Sequence, residues 1–372
     1  MNNSAPLIFD VPPMFRVESI IGQGSYGAVC KAVYGTDQIA IKKIPNYVKS
    51  EETVRRVLRE IEILQNLQFC EQVVGCRLLF RPTSREKDLY VVMDCIPSDL
   101  STVVNNKSIA LPENIIRYIT CQLLLALRAM HRWKVLHRDF STRNILINYN
   151  SQVFVCDFGL SRFFDPDEQL SFGVVTQWYR APEIILDAEY DAANDLWSVG
   201  VIVCELLLRR HLFPGKSNDS ADQLNLIFHL VGTPPPSVFN EGQPFARASI
   251  NAKNYALSVI EKRPRISMLR ELLLRAPILQ GKDAETSPII DLAEKLLSFN
   301  PRDRPTADEA LQHPWFEPCR AFIDDMIGAQ EEQHTSPQFS SNSFLSMQEM
   351  IQKIEEIVPM FSEQLLVSED AE

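Results

Sequence analysis

Gly22-Gln23-Gly24-Ser25-Tyr26-Gly27, with Val29 two residues on, is a stretch whose bare backbone can approach phosphate oxygens. Glycine has no Cβ to block the turn, and successive amide groups can face an anion. The same spacing also opens dinucleotide-binding folds. Here strand-like residues flank it on both sides and no helix follows directly, which disfavours that reading. Lys42, in Ala40-Ile41-Lys42, is a point cation on a strand downstream, suited to the α- and β-phosphates of a nucleotide. It needs an anionic partner to fix it, and Glu60, in Leu58-Arg59-Glu60-Ile61 on the following helix, is the candidate. Taken alone, a solvated strand lysine and a surface helix acid are the simpler account of these two residues.

His137-Arg138-Asp139-Phe140-Ser141-Thr142-Arg143-Asn144, followed by Asp157-Phe158-Gly159, decides between them. Together these motifs resemble the protein kinase family. The resemblance implies ATP and Mg²⁺ as cofactors, with Asp139 accepting or orienting the proton of a substrate hydroxyl. Asn144 and Asp157 would hold Mg²⁺ against the phosphates, a hard-oxygen donor set with few protein carboxylates. Phosphoryl transfer of this kind rests on positioning and charge neutralisation and needs no covalent protein intermediate. The resemblance further implies a nucleotide site drawn from Ile21, Gly22, Gly24, Gly27, Val29, Ala40, Lys42, Met93, Asp94, Cys95 and Asp99, with Met93 narrowing the space behind the adenine. Ala181-Pro182-Glu183, Asp195 and Arg304 match scaffold positions, implying a Glu183–Arg304 ion pair and Asp195 bracing the catalytic loop. The match runs from about 15 to 318.

Thr176-Gln177-Trp178-Tyr179-Arg180-Ala181-Pro182-Glu183 looks like the branch that holds cyclin-dependent and mitogen-activated protein kinases. Asn254-Tyr255-Ala256-Leu257-Ser258 resembles the helical insert of the mitogen-activated group, and the chain is identified as a divergent member of it. That implies a serine/threonine kinase acting on protein substrates in a signalling cascade, proline-directed, with an upstream activating kinase and docking proteins as partners. Two departures stand out. The family's Thr-x-Tyr activation motif falls on Ser171-Phe172-Gly173, which points to single phosphorylation at Ser171, clamped by Arg56, Arg138 and Arg162 as a charge-assisted cluster. The catalytic-loop lysine is replaced by Ser141, and Arg143 is expected to reach the γ-phosphate in its place. The same departures motivate the rival reading, a pseudokinase scaffold with weak or no turnover.

The elements that must position these residues follow from periodicity. Phe15–Ile21, Gly27–Val33, Ile39–Lys42, Arg77–Phe80 and Leu89–Met93 read as strands, rich in β-branched and aromatic residues. Glu51–Leu67 carries Val54, Val57, Leu58, Ile61 and Leu64 on one helical stripe. After Pro97 the chain turns helical, with Ile115–Met130, a buried Leu196–Leu208, Leu292–Phe299 and Ala307–Leu311. The expected class is α+β: a bilobal kinase fold with a β-rich N-lobe over 15–94 and a mainly helical C-lobe over 95–318, its insert near 248–272. An N-terminal extension covers 1–14. A C-terminal extension over 319–372 is polar from Ala329 to Ser346 and then shows Ser346 and Glu349 at capping-box spacing, ahead of an amphipathic helix near 347–358. The body of its own lobe is the expected partner for that helix. Asp324, Asp325, Glu331 and Glu332 read as solvated acids.

Composition bounds the rest. A net charge of −11 at pH 7 argues against a nucleic-acid partner. Eight cysteines without C-x-x-C or zinc spacing read as free thiols of a reducing compartment. No leader is visible, and Leu196–Leu208 is too short for a bilayer and contains Glu205. A monomer, cytosolic, nuclear or both, with no membrane association, is expected.

Overall fold

Ala28, Cys30 and Ala32 are buried while the residues between them are half-exposed, so the second strand has one small-residue face turned inward. That alternation is the mark of a strand with a single packed face. The structure is a computed structural model that describes residues 8–24, 27–82, 85–164, 177–215, 219–263, 265–281, 287–332 and 345–359. It divides into two units, 1–96 with 336–372, and 97–335.

In the first unit, β1 (Phe15–Gly24), β2 (Gly27–Tyr34), β3 (Asp37–Ile44), β4 (Cys76–Phe80) and β5 (Leu89–Asp94) form an antiparallel sheet of order β1-β2-β3-β5-β4. Cross-strand pairing sorts the sheet into two faces. Cys30, Ile39, Ile41, Tyr90 and Val92 join Phe15, Ala32 and Phe80 in an apolar cluster. Phe9, Val11 and Met14 pack against the same cluster, so residues 8–14 are anchored to this sheet. Lys43 Nζ donates to the Ile8 carbonyl (2.8 Å) and pairs with Asp88 (3.0 Å). Helix α1 (Glu51–Asn66) starts on Ser50, whose side chain accepts from Thr53 N, and all five residues of its expected stripe are buried.

The tail helix, Met347–Ile357, opens on a Ser346–Glu349 capping box. It packs on α1 within this strand-rich unit, the unit to which it belongs. Met350, Ile354 and Val358 are fully buried there. Arg81 fixes the exit of the helix: it binds Glu355 (2.9 Å) and the Val358 carbonyl (3.2 Å), and its own N–H donates to the Pro359 carbonyl (3.2 Å).

The second unit opens with β6 (Ser98–Asp99), α2 (Leu100–Asn105) and α3 (Glu113–Arg132). Short strands β7 (Val135–Leu136), β8 (Ile145–Ile147), β9 (Val153–Val155) and β10 (Arg162–Phe163) follow, pairing as β6-β8-β9 and β10-β7. Then come α4 (Pro182–Ile185), α5 (Ala193–Leu208), α6 (Ser220–Val231), α7 (Ile250–Ile260), α8 (Leu269–Leu273), α9 (Pro288–Leu296), α10 (Ala307–Leu311) and α11 (Arg320–Glu332). Helix α5 is the axis of the unit, buried from Asn194 to Leu207 and packed on α3 and α9. Gly200 permits that packing: a Cβ there would lie 2.9 Å from Leu297 Cγ.

Helix α11 opens the C-terminal extension that the sequence reading begins at 319. It packs on α3 through Ile323, Met326 and Gln330. The buried Arg128 guanidinium reaches Asp308 (2.7 Å), Gln330 (2.8 Å) and Glu331 (2.7 Å), tying α10 and α11 to α3. Glu331 is thus an ion-pair partner of Arg128 and Arg132, where a solvated acid was expected. Residues 333–344 lie outside the described residues.

Candidate active site

On the sheet of the first unit, Val29 lies opposite Lys42, and Ala40 opposite Met93. Directly paired residues share a face, as do residues two apart on one strand. Val29, Ala40, Lys42 and Met93 therefore share the face opposite the apolar cluster. Lys42 makes an ion pair with Glu60 of α1, both side chains mostly buried. The carboxylate holds the ammonium extended from the strand, as a group that must present a fixed charge requires.

The glycines divide by cause. Gly27 has φ +148°, and a Cβ on it would sit 2.1 Å from the Lys43 carbonyl oxygen, so strand packing itself demands glycine. Among the described residues, apart from its chain neighbours, Gly24 has no protein atom within 4 Å of where its Cβ would be. Nothing in the fold requires a bare backbone there, which leaves room for an incoming group. Ile21 lies at the irregularity between Ile20 and Gly22 and is exposed. Asp94 binds Arg77 (2.5 Å), and Cys95 is half-buried. Ser25 and Tyr26 lie outside the described residues.

In the second unit the catalytic-loop motif follows β7. Asn144 Nδ2 donates to the Asp139 carbonyl and to Asp139 Oδ2, each at 2.8 Å. With its nitrogen spent on Asp139, the amide presents its oxygen as the remaining ligand atom. Asp157 carries an exposed carboxylate in the left-handed region, φ 62°. One carboxylate and one amide oxygen suit Mg²⁺, which keeps most of its waters.

Three features hold this loop. His137 is buried, accepts from Asp139 N through Nδ1 (3.3 Å), and so donates from Nε2 to the Cys156 carbonyl (3.2 Å). It thereby links the loop to the residue before Asp157. Arg138 is forced to φ 70°, a conformation disfavoured for any side chain but glycine. Asp195 of α5 stabilises that turn, accepting from His137 N (2.9 Å) and Arg138 N (3.0 Å) while also bound to His131 Nε2 (3.1 Å). Burial pushes its carboxyl upward, but the His131 contact and these hydrogen bonds outweigh it and hold the group below the usual aspartate value. Later in the loop, Thr142 Oγ1 and Tyr179 Oη lie 2.7 Å apart, and Tyr179 donates to Glu205 (2.7 Å). Burial, reinforced by the Glu205 charge, pushes the Tyr179 phenol far up, so it stays a donor. Glu183 and Arg304 form a fully buried bidentate pair at 2.6 and 2.8 Å.

The remaining expected residues are placed as follows. Asp99 caps α2, accepting from Thr102 N (2.8 Å) and Thr102 Oγ1 (2.9 Å). Arg143 is exposed, whereas Ser141 is buried and its hydroxyl has no hydrogen-bond partner among the described residues. Arg138 stacks over Tyr190 at 5.5 Å, and Arg162 on β10 also acts on that ring's phenol, opposing the upward push of burial. Those two arginines are brought together; Arg56 is half-buried on α1 in the other unit. Ser171, Gly173 and Thr176 lie outside the described residues. The sequence reading assigned no role to His137 or Tyr179, and noted Glu205 only as a charge unsuited to a bilayer; that acid in an apolar run was the available signal.

Comparison with known proteins agrees with this geometry. Residues 15–316 match the family described as protein kinase domain. The chain is 38% identical over 311 residues to the mitogen-activated protein kinase homolog NTF6 of Nicotiana tabacum, covering 82% of this chain and 77% of that protein. It is 36% identical over 324 residues to mitogen-activated protein kinase 6 of Arabidopsis thaliana, covering 86% and 77%. To mitogen-activated protein kinase KSS1 of Saccharomyces cerevisiae it is 36% identical over 325 residues, covering 83% and 84%.

Proposed function

The chain belongs to the protein kinase family as a serine/threonine kinase of the mitogen-activated type, and from that premise we propose that it is catalytically active and proline-directed. The family uses ATP with Mg²⁺, which neutralises phosphate charge during transfer. Asp139 orients and receives the proton of the acceptor hydroxyl. Lys42, held by Glu60, fixes the nucleotide phosphates, and Asn144 and Asp157 are the residues that would hold the metal.

One observation carries the reading: Asn144 binds both the backbone and the side chain of Asp139, so the acid that meets the acceptor and the amide that meets the metal are set by one pair of hydrogen bonds. A dedicated scaffold has no use for that alignment. Against this stands Ser141, buried and unable to extend toward a substrate as a lysine does. Arg143, exposed two residues on, supplies the missing cation in this proposal. Phosphorylation of Ser171, protein substrates with a proline after the acceptor, and a cytosolic or nuclear site of action belong to the same reading. Eight free cysteines support the last of these.

Radiolabelled transfer from ATP to a generic basic protein tests it. Asp139→Asn should lower the rate by at least about 10²-fold. Arg143→Ala should lower kcat by about tenfold or more with little change in KM for ATP. Equal incorporation by parent and Asp139→Asn would establish a scaffold. A peptide array without preference for Ser/Thr-Pro would remove the proline requirement alone.

A further inference from the structure

Arg209 closes α5 in the left-handed conformation, φ 57°, and spends its guanidinium on backbone carbonyls. It donates to Val103 (2.9 Å), Val104 (3.3 Å), Asn106 (2.6 Å) and Ile109 (2.8 Å). These are the acceptors at the C-terminal end of α2 and in the turn after it. A helix C-terminus ordinarily offers its partial negative charge to nearby cations. Here Arg209 has already taken that role. Lys107, in the same turn, and Arg210, beside the cap, are left exposed next to a third positive charge. Slight desolvation of its exposed ammonium, and then the charges of Arg209 and Arg210, hold Lys107 below the usual lysine value. Neither Lys107 nor Arg210 has an acidic partner among the described residues, in a protein with 48 acidic and 37 basic side chains.

The patch adjoins Gln177–Tyr179, part of the tract whose resemblance implies a proline-directed kinase. His211, the residue after Arg210, packs its ring on Trp178 at 4.5 Å. Trp178 Nε1 donates to the Gly215 carbonyl (3.3 Å) and Gln177 Nε2 to the Asp219 carbonyl (3.1 Å), so Gln177–Tyr179 is joined to the loop that follows the patch. We propose that Lys107 and Arg210, set by Arg209, form an anion-recognition site for an acidic or phosphorylated stretch of the protein substrate flanking the acceptor residue. The proposal rests on the kinase reading for its partner. It adds a selectivity determinant that neither the nucleotide site nor the proline preference contains. Clustered carboxylates and a phosphate ester offer the same chemistry to two cations, anionic oxygens for charge-assisted hydrogen bonds.

The test is fluorescence anisotropy on the full chain with labelled Ser-Pro peptides. They carry four flanking glutamates, four glutamines, or one phosphoserine, on either side of the acceptor. Parent, Lys107→Glu/Arg210→Glu and Lys107→Gln/Arg210→Gln are compared at low salt and at about 0.3 M, where surface attraction is screened. An acidic or phosphorylated peptide should bind the parent about tenfold more tightly than the glutamine peptide, two exposed contacts at ordinary strength. Charge reversal should abolish that preference and neutralisation reduce it, with binding of the glutamine peptide unchanged. The two anionic peptides tell a carboxylate source from a phosphate source. Equal affinity of parent and charge-reversed variant for both would overturn the proposal. Turnover of the glutamine peptide is followed separately: if no variant turns it over yet the anionic preference persists, the kinase reading fails and the site stands.

Discussion

Replacing Asp195 by asparagine changes one atom type in a fully buried brace, and its effect can be worked from the contacts. The carboxylate accepts from two backbone N–H groups, those of His137 and Arg138, at 2.9 and 3.0 Å, one on each oxygen. Asparagine keeps one acceptor and turns a donor toward the other N–H. One charge-assisted bond is lost, about 1.5–3 kcal/mol, and a buried donor is left facing another. The total is about 2–4 kcal/mol, concentrated on a turn whose Arg138 already sits at φ 70°. Since about 1.4 kcal/mol is a tenfold change in an equilibrium, hydrogen exchange of the 135–145 peptide should accelerate about 30- to 1000-fold, while that of α9 stays as it was. Because the folded-state carboxyl lies below its ordinary value, its stabilisation is fully present above about pH 4 and is lost only as the pH falls through the lowered value. The stability gap between parent and variant should close only in acid. Unchanged exchange in 135–145 at neutral pH would show that packing of His137 and Phe140 shapes the loop, with Asp195 dispensable.

Three further outcomes are open to measurement. Arg304→Ala leaves Glu183 charged, buried and without its bidentate partner, and should destabilise the protein by about 3–5 kcal/mol in urea unfolding, a loss below about 1 kcal/mol contradicting the burial argument. Gly24→Ala should melt within about 1 °C of the parent while raising the KM for ATP, whereas Gly27→Ala, with 2.1 Å to the Lys43 carbonyl, should lose more than about 3 kcal/mol; equal melting temperatures for the two variants would refute the division of roles. Burial pushes the Cys30 thiol up to about 11 and Cys70 up to about 12, with Cys121 and Cys204 higher still, so mass spectrometry after brief alkylation at neutral pH should find these four unmodified and the label on half-buried Cys156 or Cys319.

The strands and α1 were legible because their apolar residues recur with one period and local turns end them. Ala307–Leu311 was read with its observed bounds, Thr306 supplying a capping box at its start. Helix α11 was not legible. Its inward stripe runs Ile323, Met326 and then Gln330, and a buried glutamine breaks the apolar pattern. Gln330 is inside because Arg128 needs an acceptor there, a demand set 202 residues away. The tail helix shows the same limit from the other side. Its capping box and stripe were plain, yet nothing local says that α1 and Arg81 receive it. At the site, residue types announced the chemistry, while the faces they share came only with the register of β2, β3 and β5.

Helix α5 shows what hydropathy conceals. Its residues are buried all round, which as pattern alone says only that it lies in a core. Yet Asp195, Ser198 and Glu205 fall within about 80° of its circumference at 3.6 residues per turn. Each acts on the catalytic apparatus. Asp195 sets the turn before Asp139, Ser198 donates to the Tyr179 carbonyl (3.2 Å), and Glu205 receives the Tyr179 hydroxyl that meets Thr142. Glu205 also accepts from Leu212 N (3.2 Å) and lies 3.0 Å from His211 Nδ1, and the His211 ring packs tilted against Trp178. One polar stripe on an otherwise apolar helix thus fixes both the loop that carries Asp139 and the segment beside Ala181. The apolar faces immobilise the helix against α3 and α9, and the stripe converts that rigidity into fixed positions for the loop of Asp139 and for Tyr179. A buried acid on a core helix is costly to desolvate, and the hydrogen bonds it accepts offset that cost. Its retention here is accounted for by the geometry it imposes on the loop.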